Sequence, residues 1–409
     1  MRIKNLLKSN LLFPVIVFVL ALIPRIYFLN RIPPVMTQEE ISVVMDAESF
    51  LATGVFVPGD TASIGRSNGL ADRAISIVPV FILSDFLDNI PLNQFTARIL
   101  FAIFSSAFSV IVFMITEKIF GKNVGILAGI LMAINPSGIE IGRTANFLNF
   151  AVAFFGIGIY LMLFQKRWKR LYSLPFFILE IGSLSNLTSQ PRLILIYLVY
   201  PLFVIFFSWC IVRFSGLLKM GKIISAGLLA TYFIFSGVVM NRYFFNYPRS
   251  ETVNRLFNMR LVSSYVRLSE SNPNITRIYI ATNGDIRSSL MQYLFYSGKY
   301  VKTGDIREVN DNIMKGRFEI GKVTLTNNCP VSVNAQAGEI LIIDRLIPCP
   351  KEIENNSYIN NPLIAEPIFT VYNDILCSGI TRSDRYKYKT IDYDLEQMDK
   401  LEFCNSWVM

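Results

Sequence analysis

The chain has 409 residues, of which 52% are hydrophobic and 17% charged, and its mean hydropathy is +0.43. Composition this apolar excludes an ordinary soluble globular protein and a disordered one, and it marks an integral membrane protein. The net charge of +9 does not imply a nucleic-acid partner, because Lys and Arg gather in short loops between apolar runs, as the positive-inside rule requires.

Crossing about 30 Å of hydrocarbon takes roughly twenty apolar residues, and the chain offers about seven such runs. The first is Leu11 to Leu29, preceded by Arg2, Lys4 and Lys8. It reads as a retained span and not a signal peptide, since it is long for an h-region and no small-residue cleavage site follows. Residues 30–96 are then expected outside the cytoplasm. Within them Ile75 to Leu87 is apolar but short, so it is either an amphipathic helix on the membrane surface or a buried helix of a compact loop.

The remaining spans are Ala97 to Thr116, Val124 to Ile134, Phe147 to Phe164, Leu171 to Leu187, Leu193 to Val212 and Ile223 to Met240, of which the third in the chain, Val124 to Ile134, is the shortest. Lys118 and Lys122, then Lys166, Arg167, Lys169 and Arg170, then Arg213, Lys219 and Lys222 all fall on one side if the spans alternate. That side is the cytoplasm, with the amino terminus inside and the carboxy-terminal domain outside.

Beyond Met240 charges, Asn and short apolar stretches mix as in a water-soluble domain. A helix is expected from Glu251 to Leu268, a strand from Arg277 to Thr282, a helix from Ile286 to Tyr296, and strands near Gly321 to Thr326 and Glu339 to Asp344. This alternation predicts a small α/β domain. The fold class is therefore a polytopic α-helical membrane protein of about seven transmembrane helices with a carboxy-terminal extracytoplasmic α/β domain. The domains are 1–245, including the outer loop 30–96, and 246–409.

Cys329, Cys349, Cys377 and Cys404 lie in the domain expected outside, where an oxidising compartment permits two disulfides. Three connectivities are open, and Cys329 with Cys349 and Cys377 with Cys404 is the shortest-loop choice. With no histidine in the chain and no C-x-x-C spacing, neither a metal nor a cofactor is expected, and a His-based triad is excluded.

Three runs carry a family resemblance. Glu39-Glu40 opens a segment through Leu51 and Gly54 that resembles the outer loop of GT-C glycosyltransferases, where an Asp-Glu pair precedes a helix ending in leucines and glycine. Val43 stands where that family usually has an aromatic. A second match runs from Arg98 through Phe120-Gly121-Lys122-Asn123-Val124-Gly125 to Ile134-Asn135-Pro136 and Ile141-Gly142-Arg143. It is similar to the family's arginine, interior Phe-Gly turn and proline-then-arginine exit, with Asn146 where an acid is common. The third is Leu187-Thr188-Ser189-Gln190-Pro191-Arg192, similar to a Tyr-Thr-Tyr-x-x-Arg stretch of prokaryotic members. The branch most resembled is the protein O-mannosyltransferase and aminoarabinose transferase group (glycosyltransferase family 39-like).

The resemblance implies transfer of a sugar from a polyprenyl-phosphate donor to a hydroxyl of a lipid, glycan or protein acceptor, with inversion. Such a reaction needs a carboxylate to take the acceptor's proton and cations to receive the departing phosphate. Glu39 aligns with the catalytic Asp and is the candidate base, with Glu40 as its supporting neighbour. Arg143 and Arg192, with Arg98, are the candidates for the phosphate, because guanidinium forks pair two phosphate oxygens at once; the alternative use is snorkelling to headgroups. Glu180, inside the expected fifth span, reads as a structurally paired carboxylate. Two competing functions are a non-catalytic GT-C relative and a transporter or flippase of polyprenyl-linked glycans.

Overall fold

The computed structural model describes residues 11–53, 81–88, 90–146, 148–165, 169–177, 199–217, 219–251, 255–283, 286–299, 316–329, 338–347, 349, 356–361, 366–380 and 395–408. Its main helices are α1 (Leu12–Ile26), α2 (Gln38–Thr53), α3 (Gln94–Phe120), α4 (Lys122–Ala133), α5 (Pro136–Gly142), α6 (Leu148–Phe164), α7 (Tyr200–Leu217), α8 (Lys219–Asn241), α9 (Arg255–Glu270), α10 (Ile286–Ser297) and α11 (Lys400–Trp407). The strands are β1 (Arg277–Ala281), β2 (Arg317–Ile320), β3 (Val323–Thr326), β4 (Glu339–Asp344), β5 (Asn356–Asn361) and β6 (Glu366–Tyr372). By internal contacts the chain forms two compact units, Met1–Asn30 with Asn68–Asn246, and Arg31–Ser67 with Tyr247–Met409. Residues 31–53, expected with the membrane half, thus group with the carboxy-terminal half.

The first unit is helical. α3, with 27 residues, and the helix Met220–Ser250, with 31, of which the part up to Asn246 belongs to this unit, are long and apolar enough to cross a membrane. At 1.5 Å per residue each exceeds the roughly 30 Å of hydrocarbon. The bent pair α4 and α5 makes a third candidate, broken by 57°. Pro136 opens α5 and Asn135 before it stands outside the helical region, with ψ 117°, as the residue preceding proline prefers. The other apolar helices are shorter, and most of the expected span Leu171 to Leu187 lies outside the described residues, as does the start of the next.

Local chemistry accounts for these elements. Asn93 caps α3 by accepting the Thr96 N–H at 2.9 Å while the Thr96 hydroxyl accepts the Asn93 N–H at 2.8 Å, a reciprocal capping box. The α3–α4 turn is made by Gly121 at φ +93°, a conformation that favours glycine. Val17, Ala21 and Arg25 of α1 recur every fourth residue and are buried, whereas Val15, Ile16, Val19 and Ile23 are exposed apolar side chains, so one face of the helix is packed and the other is apolar and exposed. The core joins Phe108 and Val112 of α3, Ala128, Leu131 and Met132 of α4, Leu148 and Val152 of α6 and Val204 of α7. Of the short apolar stretch 75–87, residues 75–80 lie outside the described residues; in the helical turn that follows, Leu83 and Leu87 are buried, so this part packs inward.

The second unit contains a six-stranded sheet in the order β2-β3-β1-β4-β6-β5. β1 pairs in parallel with β3 and β4, and the outer pairings are antiparallel. Ile278, Ile280, Ile340 and Ile342 are fully buried. On the other face Ala281, Leu341, Ile343 and Tyr372 cluster. Burial on both faces explains why β1 and β4 read as nearly continuous apolar runs. Of the expected first helix, Glu251 closes a short helix, Tyr247–Glu251, and Arg255 to Leu268 lie in α9, with residues 252–254 outside the described residues; β2, β5 and β6 are not among the expected strands. Cys329 joins Cys349 and Cys377 joins Cys404, with Cα separations of 5.7 and 5.6 Å.

Candidate functional site

Three arginines of the helical unit are buried together around the carboxy-terminal end of α1. Arg98, the fifth residue of α3, is fully buried and its Nη1 donates to the Leu29 carbonyl at 3.4 Å. Arg143, directly after α5, is equally buried; its Nη1 donates to the carbonyls of Pro24 at 2.7 Å and Arg25 at 3.2 Å, and its Nη2 to Phe28 at 3.2 Å. The same guanidinium lies 4.9 Å from the Phe244 ring and 5.8 Å from that of Tyr243, within cation–π range.

Arg25, which sequence reasoning did not single out, completes the group. Its Nη1 donates to Ala21 at 2.7 Å and to Ala133, the last residue of α4, at 3.1 Å, and its Nε to the Ser105 hydroxyl at 3.0 Å. Its signal in the sequence was a charge inside an apolar run, which is a functional pointer in a membrane protein by default. Glycine makes room for it: a β-carbon on Gly142 would stand 2.8 Å from Arg25 Nε.

The physical logic is helix termination. The last carbonyls of a helix lack intrahelical donors and carry the negative end of its dipole, so buried guanidiniums there are compensated while they satisfy the backbone. Of the arginines expected at a phosphate, Arg98 and Arg143 therefore come together in one unit, both already bonded to backbone carbonyls. Arg192 lies outside the described residues, and so does Glu180.

Glu39 and Glu40 stand in the first turn of α2, in the second unit. Thr37 and Glu40 form a capping box: the Thr37 N–H donates to Glu40 Oε2 at 2.8 Å and the Glu40 N–H to the Thr37 hydroxyl at 3.2 Å. The Glu40 side chain, 2% exposed, is thus engaged in starting the helix, a duty the sequence reading did not assign to it. Ile41, Val44 and Met45 are buried at helical spacing, and α2 packs on α10. Further along α2, burial pushes the Glu48 carboxyl above its usual range.

Among the described residues no group of His, Cys, Asp or Glu is arranged to hold a metal ion. Asn146, at the position where the resembled family has an acid, accepts the Leu148 N–H at 2.9 Å and so shapes the entry to α6. No family model, curated protein or solved structure matches the chain.

Proposed function

We propose that the protein is a membrane glycosyltransferase of the GT-C type, with about seven spans, a cytoplasmic amino terminus and an extracytoplasmic carboxy-terminal domain. It moves a sugar from a polyprenyl-phosphate donor to an acceptor hydroxyl. Glu39 takes the hydroxyl proton as the acceptor oxygen bonds to the anomeric carbon. The bond from that carbon to the phosphate oxygen breaks with its electron pair on the phosphate, which Arg143, Arg192 and Arg98 receive, and the configuration inverts.

The observation that carries this reading is the convergence of Arg98 and Arg143, residues from the two ends of one resembled motif, on the same end of the first apolar helix. The order of the three motifs supports it, and so do the two disulfides, which suit an oxidising compartment. The carbonyl bonds of the same arginines favour a second reading, a GT-C-like protein in which they only terminate α1 and no sugar is transferred.

Purified protein in liposomes, supplied with a panel of labelled polyprenyl-phosphate sugars and acceptor extracts, separates these. Acceptor-dependent release of polyprenyl phosphate is expected. Donor that stays intact contradicts transfer, and donor that crosses the bilayer intact identifies a flippase.

A further inference from the structure

The segment leading into α2 is held by the carboxy-terminal domain through its backbone. Met36, one residue before the Thr37 cap, is fully buried. Its N–H donates to the Tyr296 hydroxyl at 3.0 Å, and its carbonyl accepts from Gln292 Nε2 at 2.7 Å. Gln292 and Tyr296 are four residues apart on α10, hence on one face of that helix. Two residues earlier the Pro34 carbonyl accepts from Arg260 Nη1. Arg260 is itself fixed by a bidentate pair with Glu396, at 2.8 and 2.7 Å, and its guanidinium stacks 5.1 Å from the Tyr296 ring. Gln292 and Arg260 are buried, at 0% and 2% exposure.

This is an unusual allocation of polar side chains. An irregular segment normally satisfies its own backbone with water or local turns. Here three long side chains from α9 and α10 are ordered and desolvated in order to hold two residues, which costs side-chain entropy and leaves costly orphans if any one is lost. The held residues lie within five positions of Glu39. The capping box then passes that fixed backbone position directly to the first turn of the helix.

We infer that Gln292 and Tyr296, backed by Arg260, are positioning residues for the reaction: they set where the Glu39 end of α2 stands, so the carboxy-terminal domain is part of the catalytic machinery. This rests on the reading of Glu39 as the base. Displacing a catalytic group by about 1 Å can cost on the order of a hundredfold in rate, and a loosened α2 amino terminus is a displacement of that kind.

The test uses full-length protein in liposomes carrying Tyr296→Phe, which removes one hydroxyl and keeps the ring under Arg260, and Gln292→Met, which removes the amide and keeps the length. Each is compared with wild type and with Glu39→Gln. Expected are a kcat lowered roughly ten- to hundredfold at unchanged donor KM, and amide hydrogen exchange over residues 36–41 raised at least about tenfold with the β1–β4 amides unchanged. If Gln292→Met fails to fold, the milder Tyr296→Phe decides. Wild-type kcat in these variants beside an impaired Glu39→Gln overturns the positioning role alone, as does unchanged exchange over 36–41. A wild-type protein that transfers no sugar overturns the functional reading and this inference with it.

Discussion

Arg143 shows how a side chain expected at a substrate can first be required by the fold, and Arg25 is held in the same way. Each buries a cation and offsets part of the cost through charge-assisted bonds to backbone carbonyls, among them those of Pro24 and Arg25 in the last turn of α1 and of Ala133 at the end of α4. Lysine retains the charge but not the planar fork that reaches Pro24, Arg25 and Phe28 at once. Arg143→Lys is expected to destabilise the helical unit by about 1.5–3 kcal/mol, the range for a hydrogen bond to a charged group, measured by thermal unfolding in detergent; an unchanged midpoint would mean that the carbonyl bonds contribute nothing. The sequence disclosed Arg98 and Arg143 through motif position, but not which carbonyls they meet, since those carbonyls become neighbours only when α1, α3 and α5 pack. Arg25 was not singled out, although its place in an apolar run is a signal the sequence carries.

Arg260 and Glu396 give a pH-dependent counterpart outside the helical unit. Burial opposes ionisation of Glu396, but the Arg260 guanidinium and its hydrogen bonds, with a backbone hydrogen bond and the Arg267 charge, together outweigh it and hold the carboxyl below its usual range. A depressed carboxyl adds stability that is present above its unfolded value of about 4.3 and is lost as pH falls through the folded value. The unfolding midpoint of wild type should therefore fall more steeply below about pH 4.3 than that of Glu396→Gln. Parallel curves would show that the pair adds no pH-dependent stability.

At the scale of elements, punctuation was more legible than length. Phe120-Gly121 reads as a turn in the sequence and is one, because Gly121 takes φ +93°. Gly125, in the same motif, has a packing reason that no local pattern reveals: an added β-carbon would lie 2.7–2.9 Å from Glu117 Cβ, Cα and N. Gly125→Ala must separate α4 from the backbone of α3, and a loss of about 1–3 kcal/mol is expected from overpacking; a variant as stable as wild type would place slack at this turn. β5 escaped prediction because Asn356, Asn360 and Asn361 disfavour strand, and its place comes from pairing with β6. Glu40 looked like half of an acidic pair, yet Thr37-x-x-Glu40 is also a helix-start signature, and the capping reading needed no tertiary information.

Across the whole molecule, hydropathy located the apolar helices that the described residues include, and among those residues their lengths differ. α3 and Met220–Ser250 meet the length of a span, α4 and α5 do so only as a bent pair, and α1, α6 and α7 are shorter. The division of the chain was less visible. Residues 31–53 follow an apolar run and look like a membrane loop, yet Arg260, Gln292 and Tyr296, more than 220 residues further on, hold this stretch by its backbone. Contacts of that sequence separation leave no periodicity to read.

The central claim is that Glu39 removes the acceptor's proton during sugar transfer, and the most direct measurement is the single-turnover rate at saturating polyprenyl-phosphate sugar for wild type and Glu39→Gln. General-base assistance is worth about 10²–10⁴ in rate, so the variant is expected to bind donor normally and transfer it slower by that factor. A Glu39→Gln protein that transfers sugar at the wild-type rate would contradict the account.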